Sequence, residues 1–268
     1  MAQDRRLEGD AVTRGDLRTA RTPQEECTAQ WLKHTPEAVA GTSATAYYFA
    51  RYLQSVLDVP VGVIVTCWGG TPVEAWMDRE TISGFKEFDL SFLDNPAPIK
   101  APQNKPCGLY NSMIAPLVPF TVKGFLWYQG ESNLAEAAIY AHLMERMTAY
   151  WRTQWGDDGA QMPLLYVQIA PHAYKDARGT EAARLVEAQA EALALIPRSA
   201  MISTTDVGEA ECIHPARKRP VGERLAAAAL GMVYGVKLPD AAAVRFAGAE
   251  FADGKALVRF DNARYGLT

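Results

Sequence analysis

Apolar positions recur along this chain with two alternating periods. From Thr42, "TSATAYYFARYLQSVLDV" sets Phe49, Leu53, Val56 and Leu57 on one stripe, which predicts a helix capped by Thr42 or Ser43. "VPVGVIVTCW" follows, a β-branched run suited to a strand buried on both faces. The alternation then repeats. "TVKGFLWYQ" (121–129) predicts a strand, Ile139, Leu143, Met147 and Trp151 a helix, and "PLLYVQIA" (163–170) the next strand. Leu185, Ala188, Ala192 and Leu195 mark another helix and "SAMISTTD" (199–206) another strand. Val221, Leu225, Ala229 and Met232 mark a last helix, with Pro220 in its first turn. Such alternation predicts an α/β fold: right-handed βαβ units, a mostly parallel sheet with helices on both faces, and ligands bound where strands end.

The flanks read differently. Residues 1–41 mix charges with Thr, Gly and Pro without a sustained period, and predict an irregular lead-in to an α/β domain over 42–238. After Pro239, "VRFAGAEFADGKALVRF" places two strand-like runs around Asp253-Gly254, a hairpin signal, so 239–268 read as the start of a β-rich region.

Composition narrows the partners. A chain of 268 residues with 49% apolar content can bury a full core. Its net charge of −4, with Lys and Arg scattered, offers no basic face for nucleic acid or anionic lipid. No apolar run reaches the roughly 18 residues of a membrane span, and the polar start "MAQDRRLEGDAVTRGD" lacks the apolar core of a signal peptide. Cys27, Cys67, Cys107 and Cys212 form no pair or cluster at metal-ligand spacing, so they read as small hydrophobes and no metal or cofactor is expected.

The candidate chemistry lies directly after three predicted strands. In "CWGGTPVEAW" the Gly69-Gly70 pair lets backbone N–H groups approach a substrate oxygen, although a plain turn would use the same residues. "WYQGESN" ends its strand with Gln129, Glu131, Ser132 and Asn133, poor core material and better site material; the bland alternative makes Ser132 or Asn133 a helix cap. In "GEAECIHPARK", Glu211 stands three residues before His214 at a strand-to-helix junction, in reach of Nδ1 across a turn and in the acid-then-histidine order of hydrolase triads. His34, His142 and His172 have no comparable setting, and His142, beside Leu143 and Met144, reads as structural.

Three stretches in this order, "VPVGVIVTCWGGTPVEAWM", "GLYNSMIAPLVPFTVKGFLWYQGESN" and "IHPARKRPVGERLA", resemble the sialate O-acetylesterase family of SGNH (GDSL-like) hydrolases over residues 31–236. The resemblance implies a three-layer α/β/α sandwich with a flavodoxin-like, mostly parallel sheet, and serine-type hydrolysis, without metal or cofactor, of acetyl esters on sialic acids or other sugars. It makes His214 the general base and Glu211 its orienting acid where the family usually has Asp, with Asp206 a rival. It gives Gly70 and Gln129 to the oxyanion hole, and Trp68, Trp127, Glu131, Ser132 and Asn133 to the O-acetylated sugar.

Two family features have no counterpart in the sequence. The family's nucleophile sits in a "GQSNM"-like block after the sheet's first strand; here "EGDAV" (8–12) carries Ala11 where a serine is needed, and no strand is expected before it. The family's β-rich continuation is also cut short. The expectation is therefore a fragment whose sheet lacks its first strand, open to self-association along the unpaired edge. An alternative reading makes it a catalytically inactive, acetyl-sugar-binding pseudoenzyme. Ser43 and Ser132 are substitute nucleophiles of low rank. Relatives are often exported or lysosomal, and the sequence itself assigns no compartment.

Overall fold

A computed structural model describes residues 11–14, 18–33, 35–175, 179–236, 238 and 244–263. The readings made on residues 8–10, on His34 and on the boundary at Pro239 lie outside the described residues. In chain order the elements are β1 (Ala11–Arg14), β2 (Trp31–Lys33), α1 (Pro36–Ala40), α2 (Ala44–Leu57), β3 (Gly62–Val65) and α3 (Arg79–Ile82). They continue as β4 (Phe125–Trp127), α4 (Ala137–Gln154), β5 (Leu164–Val167), α5 (Glu181–Leu195), β6 (Ser199–Ile202), α6 (Lys218–Tyr234), β7 (Arg245–Ala252) and β8 (Lys255–Asp261).

Strand β5 organises the layers. It pairs in parallel with β4 on one edge and β6 on the other. Its side chains alternate: Leu164 and Tyr166 join the core formed with Leu143, Met147 and Trp151 of α4 and Leu185 and Ala192 of α5. Leu165 and Val167 join the opposite core, with Leu53 of α2 and Val221, Leu225 and Ala229 of α6. All four β5 residues are buried, as a two-faced interior strand requires. The result is an α/β/α sandwich with α4 and α5 on one face and α2 and α6 on the other.

The sheet is not continuous. Strand β3 pairs in parallel with β1, and β1 pairs antiparallel with β2, but no ladder among the described residues joins β3 to β4. Val61, leading into β3, and Leu126 of β4 nonetheless pack on the same α2–α6 core, so the two half-sheets share one layer, with no ladder across the interval between them among the described residues. This corrects the expectation that β3 is buried on both faces. Gly62 is exposed, Val63 and Ile64 are half-buried, and only Val65 is enclosed; among the described residues the strand is paired along one edge, with β1. The lead-in is also more ordered than its composition suggests: β1, β2 and α1 fall inside it, too short at three to five residues each to show a period.

The predicted helices form, although Val56 of α2 and Leu195 of α5, read as stripe positions, are exposed; Ser43, not Thr42, caps α2 by accepting from the Ala46 N–H at 3.3 Å. The hairpin turns at Asp253 (φ 52°) and Gly254 (φ 70°), the left-handed pair that a two-residue turn uses. Both strands are largely exposed, with Phe251 at 81%. No helix of the described residues is long and apolar enough to cross a membrane.

Helices α2 and α6 approach most closely at Gly222. A Cβ built there meets the Thr45 carbonyl at 2.6 Å, the Tyr48 Cβ at 2.7 Å and the Phe49 nitrogen at 2.9 Å. Gly222→Ala therefore forces the helix pair apart, and is expected to lower unfolding stability by about 1–3 kcal/mol despite the better helix propensity of Ala. Urea titration at constant m-value checks this.

Candidate active site

The site is built from the loops that leave β3, β4 and β6 at their carboxyl ends. After β3, Gly70 takes φ +74°, and no atom lies within 4 Å of a Cβ placed there, so the residue is required for its backbone conformation and not for space. The turn is exposed, and the Gly70 N–H has no partner among the described residues. Beyond it the chain dives inward: Thr71 Oγ1 donates to the Trp68 carbonyl at 2.7 Å and accepts from Trp76 Nε1 at 3.1 Å. Trp68 itself is half-buried against the main core.

The loop after β4 is tied to that turn by a buried amide network. Asn133, with no exposed surface, accepts on Oδ1 from the Val73 N–H at 2.8 Å and from Gln129 Nε2 at 2.7 Å. Its Nδ2 donates to Glu74 Oε2 at 2.9 Å. Gln129 Nε2 donates its other hydrogen to the Thr71 carbonyl at 3.1 Å, while Oε1 accepts from the Tyr140 hydroxyl at 2.8 Å. Burial holds the Glu74 carboxyl above the ordinary carboxylate range, against the pull of the Asn133 hydrogen bond.

This geometry reassigns three expected site residues. With both amide hydrogens spent, Gln129 has none left for an oxyanion and acts as a brace. Asn133 is the centre of the network and presents nothing to solvent. Trp127 is 7% exposed, donates to Tyr140 at 3.4 Å and stacks edge-on with Trp76 and Trp151, so it is core. Trp68, Glu131 and Ser132 keep exposed surface.

His214, on the loop between β6 and α6, is exposed, and its ring makes no hydrogen bond among the described residues. Glu211 is exposed too and makes no hydrogen bond or ion pair among them. Asp206 is engaged elsewhere: its two oxygens accept from Arg224 at 2.7 and 2.8 Å, which holds its carboxyl below the ordinary range. The charge of His214 acts on the Glu131 carboxyl, with no hydrogen bond or ion pair between the two among the described residues. Burial raises the Glu131 pKa, while its own backbone N–H, then the charges of His214 and Lys218, pull it down. Lys218, the first residue of α6, donates to the Tyr128 hydroxyl at 3.3 Å and lies 4.9 Å from the ring centre, closing the β6–α6 loop against the end of β4. Burial lowers the Lys218 pKa, with the field of Glu131 opposing, and pushes the Tyr128 phenol up to about 12.

Tyr128, Lys218 and Glu74 were not foreseen as site residues. A lone acid within the apolar "PVEAW" and a lysine four residues past His214 were the available signals. Cys107 is buried, its thiol pushed up to about 12, whereas Cys67 and Cys212 are exposed and so are not the core hydrophobes their composition suggested. No group of three or more His, Cys, Asp or Glu among the described residues is placed to hold a metal ion.

A layered parallel sheet with a histidine and a carboxyl at its strand ends is the arrangement of an SGNH-like α/β/α hydrolase. The chain belongs to the family described as carbohydrate esterase, sialic acid-specific acetylesterase, whose signature spans residues 14–231. It is 29% identical to sialate O-acetylesterase of Homo sapiens over 231 residues, 78% of this chain and 43% of that protein. The Mus musculus sialate O-acetylesterase is 26% identical over 234 residues, 73% of this chain and again 43% of the relative. The chain thus spans less than half the length of these relatives. Among solved structures, a carbohydrate acetylesterase from Xanthomonas citri superposes with a TM-score of 0.84 at 34% identity, covering 95% of this chain and 56% of that one.

Asn133→Ala leaves the Val73 N–H, the Gln129 amide and Glu74 without their partner, and is expected to cost about 2–4 kcal/mol in a denaturant titration. Asn133→Asp sets a second carboxyl against Glu74, whose pKa is already raised by burial. Groups with raised carboxyl pKa values stabilise the fold at low pH and lose that contribution as pH rises through the folded value. The deficit of Asn133→Asp therefore grows from pH 5 to pH 8.

Proposed function

We propose that this chain forms the hydrolase domain of a carbohydrate O-acetylesterase, with His214 as general base, Glu131 as the carboxyl that stabilises its imidazolium and the Gly70 N–H as an oxyanion donor. The observation that carries the reading is the placement of Gly70, Glu131 and His214 on the loops that leave β3, β4 and β6 at their carboxyl ends, with the charge of His214 acting on the Glu131 carboxyl. In this scheme the base takes a proton from a serine hydroxyl as it attacks the acetyl carbonyl, and returns it to the departing sugar oxygen. Sialic acids and other acetylated sugars suit the same relay; Trp68 and Ser132 are the nearest exposed contacts for them.

The hydroxyl is assigned to a strand-borne serine that fills the interval. Ser43 is occupied as the cap of α2, and Ser132 lies on the loop opposite. Strand edges that carry no ladder among the described residues also offer themselves to a second copy, so the chain is expected to self-associate with rising concentration, read by light scattering.

Turnover separates the possibilities. Acetate release from O-acetylated sialic acid and acetylated xylose is expected at background for the chain alone and well above it once a segment carrying strand and Gly-x-Ser is supplied. His214→Ala in that assembly is expected to remove activity by roughly 10⁴- to 10⁶-fold. Hydrolysis by the isolated chain, with fluorophosphonate labelling at Ser132, would overturn the assignment of the nucleophile, and sugar binding without turnover in the assembly would favour a binding protein.

A further inference from the structure

The loop that presents His214 is held by a residue other than the acid nearest it in sequence. Gly208 seats the loop on its neighbour: a Cβ there would lie 2.5 Å from the Pro171 carbonyl, and the Ala173 N–H donates to the Ala210 carbonyl at 3.1 Å. The Cys212 N–H then donates to the Glu209 carbonyl at 3.3 Å, an isolated bridge that turns the chain back, and His172 Nδ1 lies 3.2 Å from the same oxygen. Glu209 Oε1 reaches over this turn and accepts from the Ala216 N–H at 2.7 Å. One residue thus closes two concentric rings, 209–212 through its backbone and 209–216 through its side chain.

His214 lies in the outer ring. Pro215, buried, has a fixed φ and restricts His214 to extended backbone, so anchoring Ala216 also fixes the direction from which the imidazole leaves the chain. The His214 carbonyl is held as well, accepting from Cys212 Sγ at 3.1 Å. With no hydrogen bond on the ring itself among the described residues, the orientation of His214 comes from this backbone frame.

We propose that Glu209 is the positioning residue for His214, its carboxylate clamping the Ala216 amide so that the imidazole faces the strand ends. The inference rests on the reading of His214 as the general base, but its test does not require activity. In the labelled chain, Glu209→Ala is expected to reduce hydrogen-exchange protection of the Ala216 amide by about five- to tenfold and to broaden or shift the His214 ring signals, with the thermal midpoint unchanged. Glu209→Gln, which keeps an acceptor oxygen, restores both, and Glu211→Gln leaves both as in the parent chain. Unchanged Ala216 protection and ring signals in Glu209→Ala, or failure of Gln to rescue, overturns the proposal. A sound loop in a protein that never turns over ester would instead sink the esterase reading and leave the clamp standing.

Discussion

The Asn133 side chain is the constraint on which the rest of the structure depends. Among the described residues no backbone ladder carries the sheet from β3 to β4, and the two half-sheets are joined by helix packing from α2 and α6 and by a buried amide network centred on Asn133. That amide reaches from the loop after β4 to the Val73 N–H and to Glu74, both on the segment that follows β3, while its neighbour Gln129 bonds Thr71. Buried polar groups are costly unless every partner is present. Here the partners come from segments about sixty residues apart, so the network specifies one mutual placement of the two loops. Gly70 and Glu131 inherit their positions from it.

Charge is distributed around the site with the same economy. Three cations, Arg217, Lys218 and Arg219, stand at the start of α6, the end of a helix that disfavours them. Each has a local answer: Arg217 donates to the Asp206 carbonyl, Arg219 pairs with Glu223 one turn on, and Lys218 lies over Tyr128. Lys218 and His214 together offset the burial of Glu131, whose carboxyl would otherwise favour its neutral form more strongly.

Much of this fold was legible from apolar periods, because α4, α5 and β5 are long or fully enclosed. Strand β3 misled on burial, since its composition reports the sheet it is suited to join and not the pairing it makes among the described residues. The three loops were found by their place after strands. Roles within them were harder to read: Gln129 and Asn133 look like site residues in sequence because they are polar at a strand end, yet whether an amide faces solvent or another loop depends on a segment far along the chain. The acids near His214 show the same limit. Glu211 has the right spacing and is exposed, while the carboxyl on which the charge of His214 acts, Glu131, lies eighty-three residues away by number on the loop after β4.

The account stands most directly on the charge interaction between His214 and Glu131. A carbon-detected NMR titration of the Glu131 carboxyl in the parent chain and in His214→Ala measures it. Burial predicts a Glu131 pKa above the ordinary carboxylate value in the parent, and the charge interaction predicts a further upward displacement in the variant, where the His214 charge is gone. A Glu131 curve that is the same in both proteins would contradict it.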